Sequence, residues 1–194
     1  MQLQDLQIPG AALVRIERQA DARGFFARTF CSAEFLAAGL VASVVQTSIS
    51  YNERRGTVRG MHLQWPPSRE TKLVRCVRGS VFDVLLDLRP GSPTYLTHAA
   101  FVLDEDNRDA VFVPQGVAHG FQTLADRSEV LYQMSDFFAP ELSTGVRWND
   151  PVFGIAWPLE GIVISDRDAS CPDFDRHAFE RELTGRGPHA WATS

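Results

Sequence analysis

The rhythm of turn residues between Ser43 and Asp136 constrains this chain more than any other feature of its sequence. Short runs rich in Val, Leu, Phe and Tyr alternate there with clusters of Gly, Pro, Asn, Asp and Ser. Runs this short cannot supply helices with an apolar face, but they suit many antiparallel strands. Thr71 to Arg78 reads as a strand, Gly79-Ser80 as a tight hairpin turn and Val81 to Leu88 as its partner. Further strands are expected from Tyr95 to Leu103, between the breakers Arg89-Pro-Gly-Ser-Pro and Asp104-Glu-Asp-Asn-Arg, then at Ala110 to Val113 and at Glu129 to Asp136. The helices expected are short, Ala33 to Ala38 and Arg176 to Leu183, each closed by a nearby glycine. Strands at this spacing with so little helix predict an all-β sandwich, a jelly roll with short peripheral helices enclosing a cavity.

No repeat, low-complexity tract or linker interrupts the chain of 194 residues, and its 44% hydrophobic content suffices for one sizeable core. A single domain is therefore expected over 1–194, with an arm and short helix over 1–42, the jelly-roll core over 43–140, and loops with a short helix over 141–194. The tail past Gly185, which has no apolar period, is expected to fray or to pack on a neighbour. A formal net charge of -5 gives no reason to expect a nucleic-acid partner. Met1 to Ala20 lacks the basic start and apolar run of a secretory signal, and no window has the length of a membrane span. Cys31, Cys76 and Cys171 form no CxxC pair, and all three are read as reduced, with Cys76 in the core. A cytoplasmic protein without membrane contact is the expectation.

Two segments place ionisable residues where the strand pattern asks for bland ones: Arg59-Gly-Met-His-Leu-Gln64, followed by Lys72, and Pro114-Gln-Gly-Val-Ala-His-Gly-Phe121. A metal-binding jelly roll needs His-x-His, a carboxylate and a further His, whereas here Gln64 stands where the second His would be. Only His62 and His119 remain, so no metal or other cofactor is expected. A neutral imidazole can instead take a carbon-bound proton near neutral pH. Arg59, Lys72 and His119, the last in a Gly-flanked turn, add a cluster of cations that suits an anion such as phosphate.

These segments, together with Lys72-Leu-Val-Arg-Cys-Val-Arg-Gly-Ser-Val-Phe-Asp-Val84, Asp87-Leu-Arg-Pro-Gly-Ser-Pro-Thr-Tyr95 and Arg147-Trp-Asn-Asp-Pro151, resemble the dTDP-4-dehydrorhamnose 3,5-epimerases from about Arg23 to Asp168. The resemblance implies a cupin-type jelly roll, a homodimer with exchanged strands, and metal-independent action on a 4-keto-6-deoxy sugar linked to dTDP. It makes His62 the base, Asp168 its carboxylate partner, Tyr132 the general acid and Lys72 the cation beside the sugar's C4 oxygen. Arg23, Phe26, Gln46, Arg59, His119, Phe138 and Arg167 fall at substrate-binding positions. The chemistry is coherent, because a proton next to a ketone becomes acidic only where a cation meets the developing enolate, and inversion needs a donor on the opposite face.

The chain departs from the family pattern where nucleotide and sugar are held. Arg28 stands in place of a glutamate, Ser48 of an asparagine, Phe138 of a tyrosine and Ser143 of a glutamate. Retained proton chemistry with an altered binding set implies a changed nucleotide or deoxysugar, or action at C3 or C5 alone. Alternatives are a 3,4-ketoisomerase on the same fold and a sugar-nucleotide-binding cupin without turnover. The aromatics around Trp148, Trp157 and Phe174 are read as packing across the barrel end, with nucleobase stacking or dimer contact as the alternatives.

Overall fold

The computed structural model describes residues 1–160, 162–187 and 191, so the expected behaviour of the extreme tail falls largely outside the described residues. Two sheets face each other. The larger contains β1 (Gln2–Asp5), β2 (Ala12–Arg15), β5 (Gln46–Asn52), β7 (Lys72–Arg78), β10 (Ala110–Val113) and β12 (Ser128–Met134), in the order β1-β2-β10-β7-β12-β5. The smaller contains β6 (Val58–Gln64), β8 (Ser80–Asp87), β9 (His98–Asp104), β11 (Val117–Thr123) and β13 (Ser143–Gly145), in the order β13-β6-β11-β8-β9. Every ladder between these strands is antiparallel, and this is the expected cupin-type jelly roll.

Three apolar clusters hold it together. Val74, Cys76, Leu85, Phe121 and Val130 fill the space between the sheets, all fully buried. The outer face of the larger sheet is covered by α1 (Ser32–Ala37), which drives Phe35 against Phe112 and Leu73. The outer face of the smaller sheet, at Met61, Leu63, Val84 and Ala118, is covered by the C-terminal chain through Phe153, Phe179 of α3 (Arg176–Gly185) and Trp191. Trp148 and Trp157 pack here too, with the Trp157 indole N–H donating to the Trp148 carbonyl at 2.9 Å. Because both faces of the sheets are covered, β11 is buried at every residue and loses the simple in-out alternation of a half-exposed strand. Among the described residues no helix is long and apolar enough to cross a membrane.

Gly79-Ser80 is not a hairpin turn. Strands β7 and β8 belong to different sheets, so the chain there turns a corner across the sandwich. Gly79 is needed for its φ of 73° and because a Cβ would stand 2.5 Å from the Ser128 hydroxyl oxygen. β9 begins at His98 rather than Tyr95, because the loop before it stays folded as far as Thr97. In that loop the buried Asp87 carboxylate accepts from the Arg89 guanidinium and from the hydroxyls of Ser92 and Thr94. The larger sheet also starts earlier than the expected core boundary at residue 43, since β1 and β2 form its edge. The remaining strands, β3 (Gln19–Asp21) and β4 (Gly24–Phe26), make a separate exposed hairpin.

Candidate active site

The open end of the sandwich holds a cavity of about 580 Å³ lined from both sheets. The larger sheet supplies its wall by register. Gln46 of β5 is level with Met134 of β12, which is level with Lys72 of β7, while Tyr132 of β12 is level with Ser48 of β5. Side chains two residues apart share a face, so Gln46, Ser48 and Ser50 project together, as do Lys72 and the core residue Val74.

The smaller sheet supplies the opposite wall. His119 of β11 is the register partner of His62 of β6, which sets both imidazoles on the cavity face. His119 therefore lies in mid-strand, not in the turn expected from its flanking glycines. Gly116 makes a turn before it, and Gly120 is there to let β6 approach: a Cβ on Gly120 would be 2.6 Å from the Met61 sulfur and 2.8 Å from the Arg59 carbonyl oxygen. At this point β6 bulges, with Arg59 opposite Phe121 but His62 opposite His119. Three residues apart, Arg59 and His62 would point to opposite faces of a regular strand, and the extra residue brings both into the cavity. The Arg59 Nε–H is fixed by the Asn52 side-chain oxygen at 2.8 Å.

Asp168 reaches His62 from α2 (Asp166–Ala169), a single helical turn whose cap Ser165 accepts from the Asp168 N–H. One carboxylate oxygen lies 2.8 Å from His62 Nε2 and the other accepts from the Gly60 N–H at 3.3 Å. Burial alone would push the Asp168 carboxyl up. The bond and charge of His62, the Gly60 N–H and the charge of Arg167 outweigh it, and the group sits below the usual carboxylate range. An ionised carboxylate only accepts, so Nε2 carries a proton, and whenever the ring is neutral the lone pair is on Nδ1. On the same wall His119 repeats this arrangement with the buried Asp83, Nε2 to Oδ2 at 2.8 Å, and its ring meets Tyr132 edge-on at 5.8 Å.

Tyr132 is half-buried. Its phenol is raised well above the ordinary tyrosine value by burial and then by the nearby Asp83 charge, against a smaller opposing effect of Arg59. It stays protonated. Lys72 places its ammonium 3.5 Å from the His62 carbonyl. Gln64, where a second metal-ligating His would be, is committed elsewhere: it accepts from the Ala139 N–H at 2.8 Å and donates to the Ser68 hydroxyl and the Phe137 carbonyl.

Of the residues singled out in the sequence, His62, Lys72, Tyr132, Gln46, Ser48, Arg59, His119, Phe138 and Arg167 line the cavity, and Asp168 stands behind His62. Arg23, Phe26 and Arg28 do not. Arg23 pairs with Asp21 on the exposed hairpin, Phe26 is 73% exposed, and Arg28 pairs with Glu34 at 2.9 Å. Ser143, noted only as a departure, accepts from Arg167 at 3.1 Å. Glu70 and Ser50 line the cavity without having been singled out. Ser50 continues the two-residue period of Gln46 and Ser48, and that signal was available in the sequence.

A family model described as dTDP-4-dehydrorhamnose 3,5-epimerase matches residues 5–176. The chain is 38% identical over 173 residues to a protein of Sinorhizobium fredii with that name, covering 89% of each. Among solved structures it is similar to a 4-keto-6-deoxy sugar epimerase from Streptomyces spheroides, at a TM-score of 0.88 and 36% identity, covering 94% of this chain and 92% of that one. It is also similar to a 3'-monoepimerase from Streptomyces bikiniensis in complex with dTDP-quinovose, at a TM-score of 0.84 and 33% identity, covering 93% and 91%.

Proposed function

We propose a reaction for this chain, which belongs to the dTDP-4-dehydrorhamnose 3,5-epimerase family: epimerisation beside the ketone of a nucleotide-linked 4-keto-6-deoxy sugar held between the two sheets. The observation that carries this reading is the division of labour across the cavity. The His62–Asp168 pair belongs to one wall and Tyr132 to the other, so a flat carbon between them meets a base on one face and an acid on the other. His62 Nδ1 takes the proton from the carbon next to the carbonyl. The electron pair moves onto the C4 oxygen, where the Lys72 ammonium stabilises the enolate. Tyr132 then gives its proton to the opposite face, and the configuration inverts. Asp168 holds the ring and balances the imidazolium, as a carboxylate does in histidine triads.

Arg59, His119 and Arg167 suit a diphosphate, and Gln46, Ser48 and Phe138 border the space left for the nucleoside. Arg23, Phe26 and Arg28 serve a second copy in this reading, because none of them lines its own cavity: Arg23 and Phe26 sit on the exposed hairpin, and Arg28 pairs with Glu34. The exposed Ile49 and Tyr51 on β5, an unpaired sheet edge, are consistent with such a homodimer. Arg28, Ser48, Phe138 and Ser143 support a substrate altered in base or sugar, or inversion at C3 or C5 alone. A cytoplasmic setting accompanies the same reading.

The test is a panel of dTDP, CDP, GDP and UDP 4-keto-6-deoxy sugars in deuterium oxide, followed by NMR. Deuterium entering C3 or C5 with inversion supports the proposal and identifies the carbon and nucleotide. Migration of the carbonyl to C3, or exchange on no member of the panel, overturns it.

A further inference from the structure

Glu70 is an acid on the cavity wall to which the reaction above gives no work. It stands just before β7, with a carboxylate oxygen 3.2 Å from the Lys72 ammonium. Both side chains are largely buried, 10% and 15% exposed, and both face the space where substrate must lie. The backbone carrying Glu70 is pinned along its length to the start of the loop after β12. Arg69 N–H donates to the Asp136 carboxylate at 2.9 Å, Thr71 N–H to the Ser135 hydroxyl at 2.8 Å, and Glu70 N–H to the Ser68 hydroxyl, which itself bonds Asp136. The carboxylate is thus presented from a fixed frame rather than from a free loop.

Lysine is a compact charge on a four-carbon stem with much rotamer freedom, and a cation that wanders stabilises an oxyanion poorly. Here two acceptors bracket the ammonium, Glu70 on one side and the His62 carbonyl on the other. An ammonium has three N–H groups, so one is left to point into the cavity.

We propose that Glu70 is a positioning residue for epimerisation: it holds the Lys72 ammonium so that its remaining N–H meets the C4 oxygen as charge develops there. The inference rests on the reading that Lys72 faces that oxygen. Glu70 itself touches no reacting atom and exchanges no proton. Its contribution is that the donor is already in place when the enolate forms, so that little reorganisation is needed at that moment.

The experiment compares the full chain with Glu70→Ala, Glu70→Gln, Lys72→Met and the Glu70→Ala, Lys72→Met double variant. The readouts are kcat, KM and deuterium entry on the best substrate of the panel, with melting curves alongside. Glu70→Ser replaces the alanine variant should the latter melt early. Truncation is expected to lower kcat by about tenfold to a hundredfold while KM stays within about threefold, since a misplaced group costs rate more than affinity. Glu70→Gln restores most of the rate, because an amide oxygen still accepts from the ammonium. The double variant is no slower than Lys72→Met, because Glu70 acts only through the lysine. Truncation that leaves kcat unchanged, a glutamine variant as slow as the truncation, or additive losses in the double variant would each overturn the proposal. Failure of the underlying reading looks different: the parent chain exchanges no deuterium, or Lys72→Met is as fast as the parent.

Discussion

Replacing Asp168 by Asn tests the proposed catalytic pair, His62 and Asp168, with little change of shape. With Nε2 to Oδ1 at 2.8 Å, the centres of charge in an imidazolium–carboxylate pair lie about 4 Å apart, worth about 4 kcal/mol at an effective dielectric of about 20. The His62 side chain is 41% exposed, so solvent screening reduces this to about 2–3 kcal/mol. A contribution of that size, present once His62 has taken the proton, corresponds to a loss of about 30- to 150-fold in kcat. The geometry adds a second penalty. Asp168 receives two N–H groups, from His62 and from Gly60, and an amide has only one oxygen. If that oxygen faces His62, the new NH2 confronts the Gly60 N–H. If it faces Gly60, the NH2 confronts Nε2, draws the ring proton to Nδ1 and blocks the atom that must accept from carbon. Stopped-flow measurement of deuterium entry and steady-state epimerisation, with the fold checked by circular dichroism, gives the answer. A folded Asp168→Asn variant with kcat within about threefold of the parent would refute the argument.

Tyr132→Phe is expected to separate the two proton transfers: wash-in of deuterium by His62 persists, inversion falls by about a hundredfold or more, and proton NMR of the product distinguishes the two. Gly145→Ala would place a Cβ 2.5 Å from the Met61 carbonyl oxygen and 3.3 Å from the His62 ring, lifting β13 from β6; a loss of about 1–3 kcal/mol in urea unfolding should accompany a lower kcat. Asp87→Ala strands the buried Arg89 guanidinium and should cost about 3–5 kcal/mol. Burial raises the Asp87 carboxyl, but Arg89, Ser92 and Thr94 lower it further, so its folded value lies below the ordinary one. The parent's advantage is therefore complete above about pH 4 and shrinks as pH falls through the lowered value, which denaturant titrations at several pH values will follow.

Much of the fold was legible because it depends on local signals. The positions of α1, α3, β7 and β10 follow from composition and from nearby breakers, and the buried Cys76 follows from its place in an apolar run. What failed was nonlocal. A glycine at φ 73° serves a hairpin and a corner equally well, and only the choice of partner strand, made by the packing of both sheets, decides that Gly79 is a corner. Gly120 looked like turn chemistry but is demanded by a neighbouring strand. The one-turn α2 is too short to show a period, so Asp168 was reached through resemblance rather than pattern. Arg59 and His62 have the wrong spacing to share a strand face, and their meeting depends on a bulge that sequence spacing does not show. Glu70 escaped because it precedes the strand whose alternation would have exposed it.

In the proposed reaction, seating base and acid on separate sheets has a cost in fidelity. The gap they must span is fixed by the apolar filling between the sheets, where Val74, Leu85, Phe121 and Val130 meet and against which Tyr132 packs. A change of volume there, in residues that carry no proton, alters how closely the phenol follows the imidazole. Should the sheets splay, deprotonation would continue from one wall while delivery from the other lagged, and the carbanion would be quenched from the side it came from. Stereochemical outcome is then governed by hydrocarbon packing as much as by the groups that carry protons.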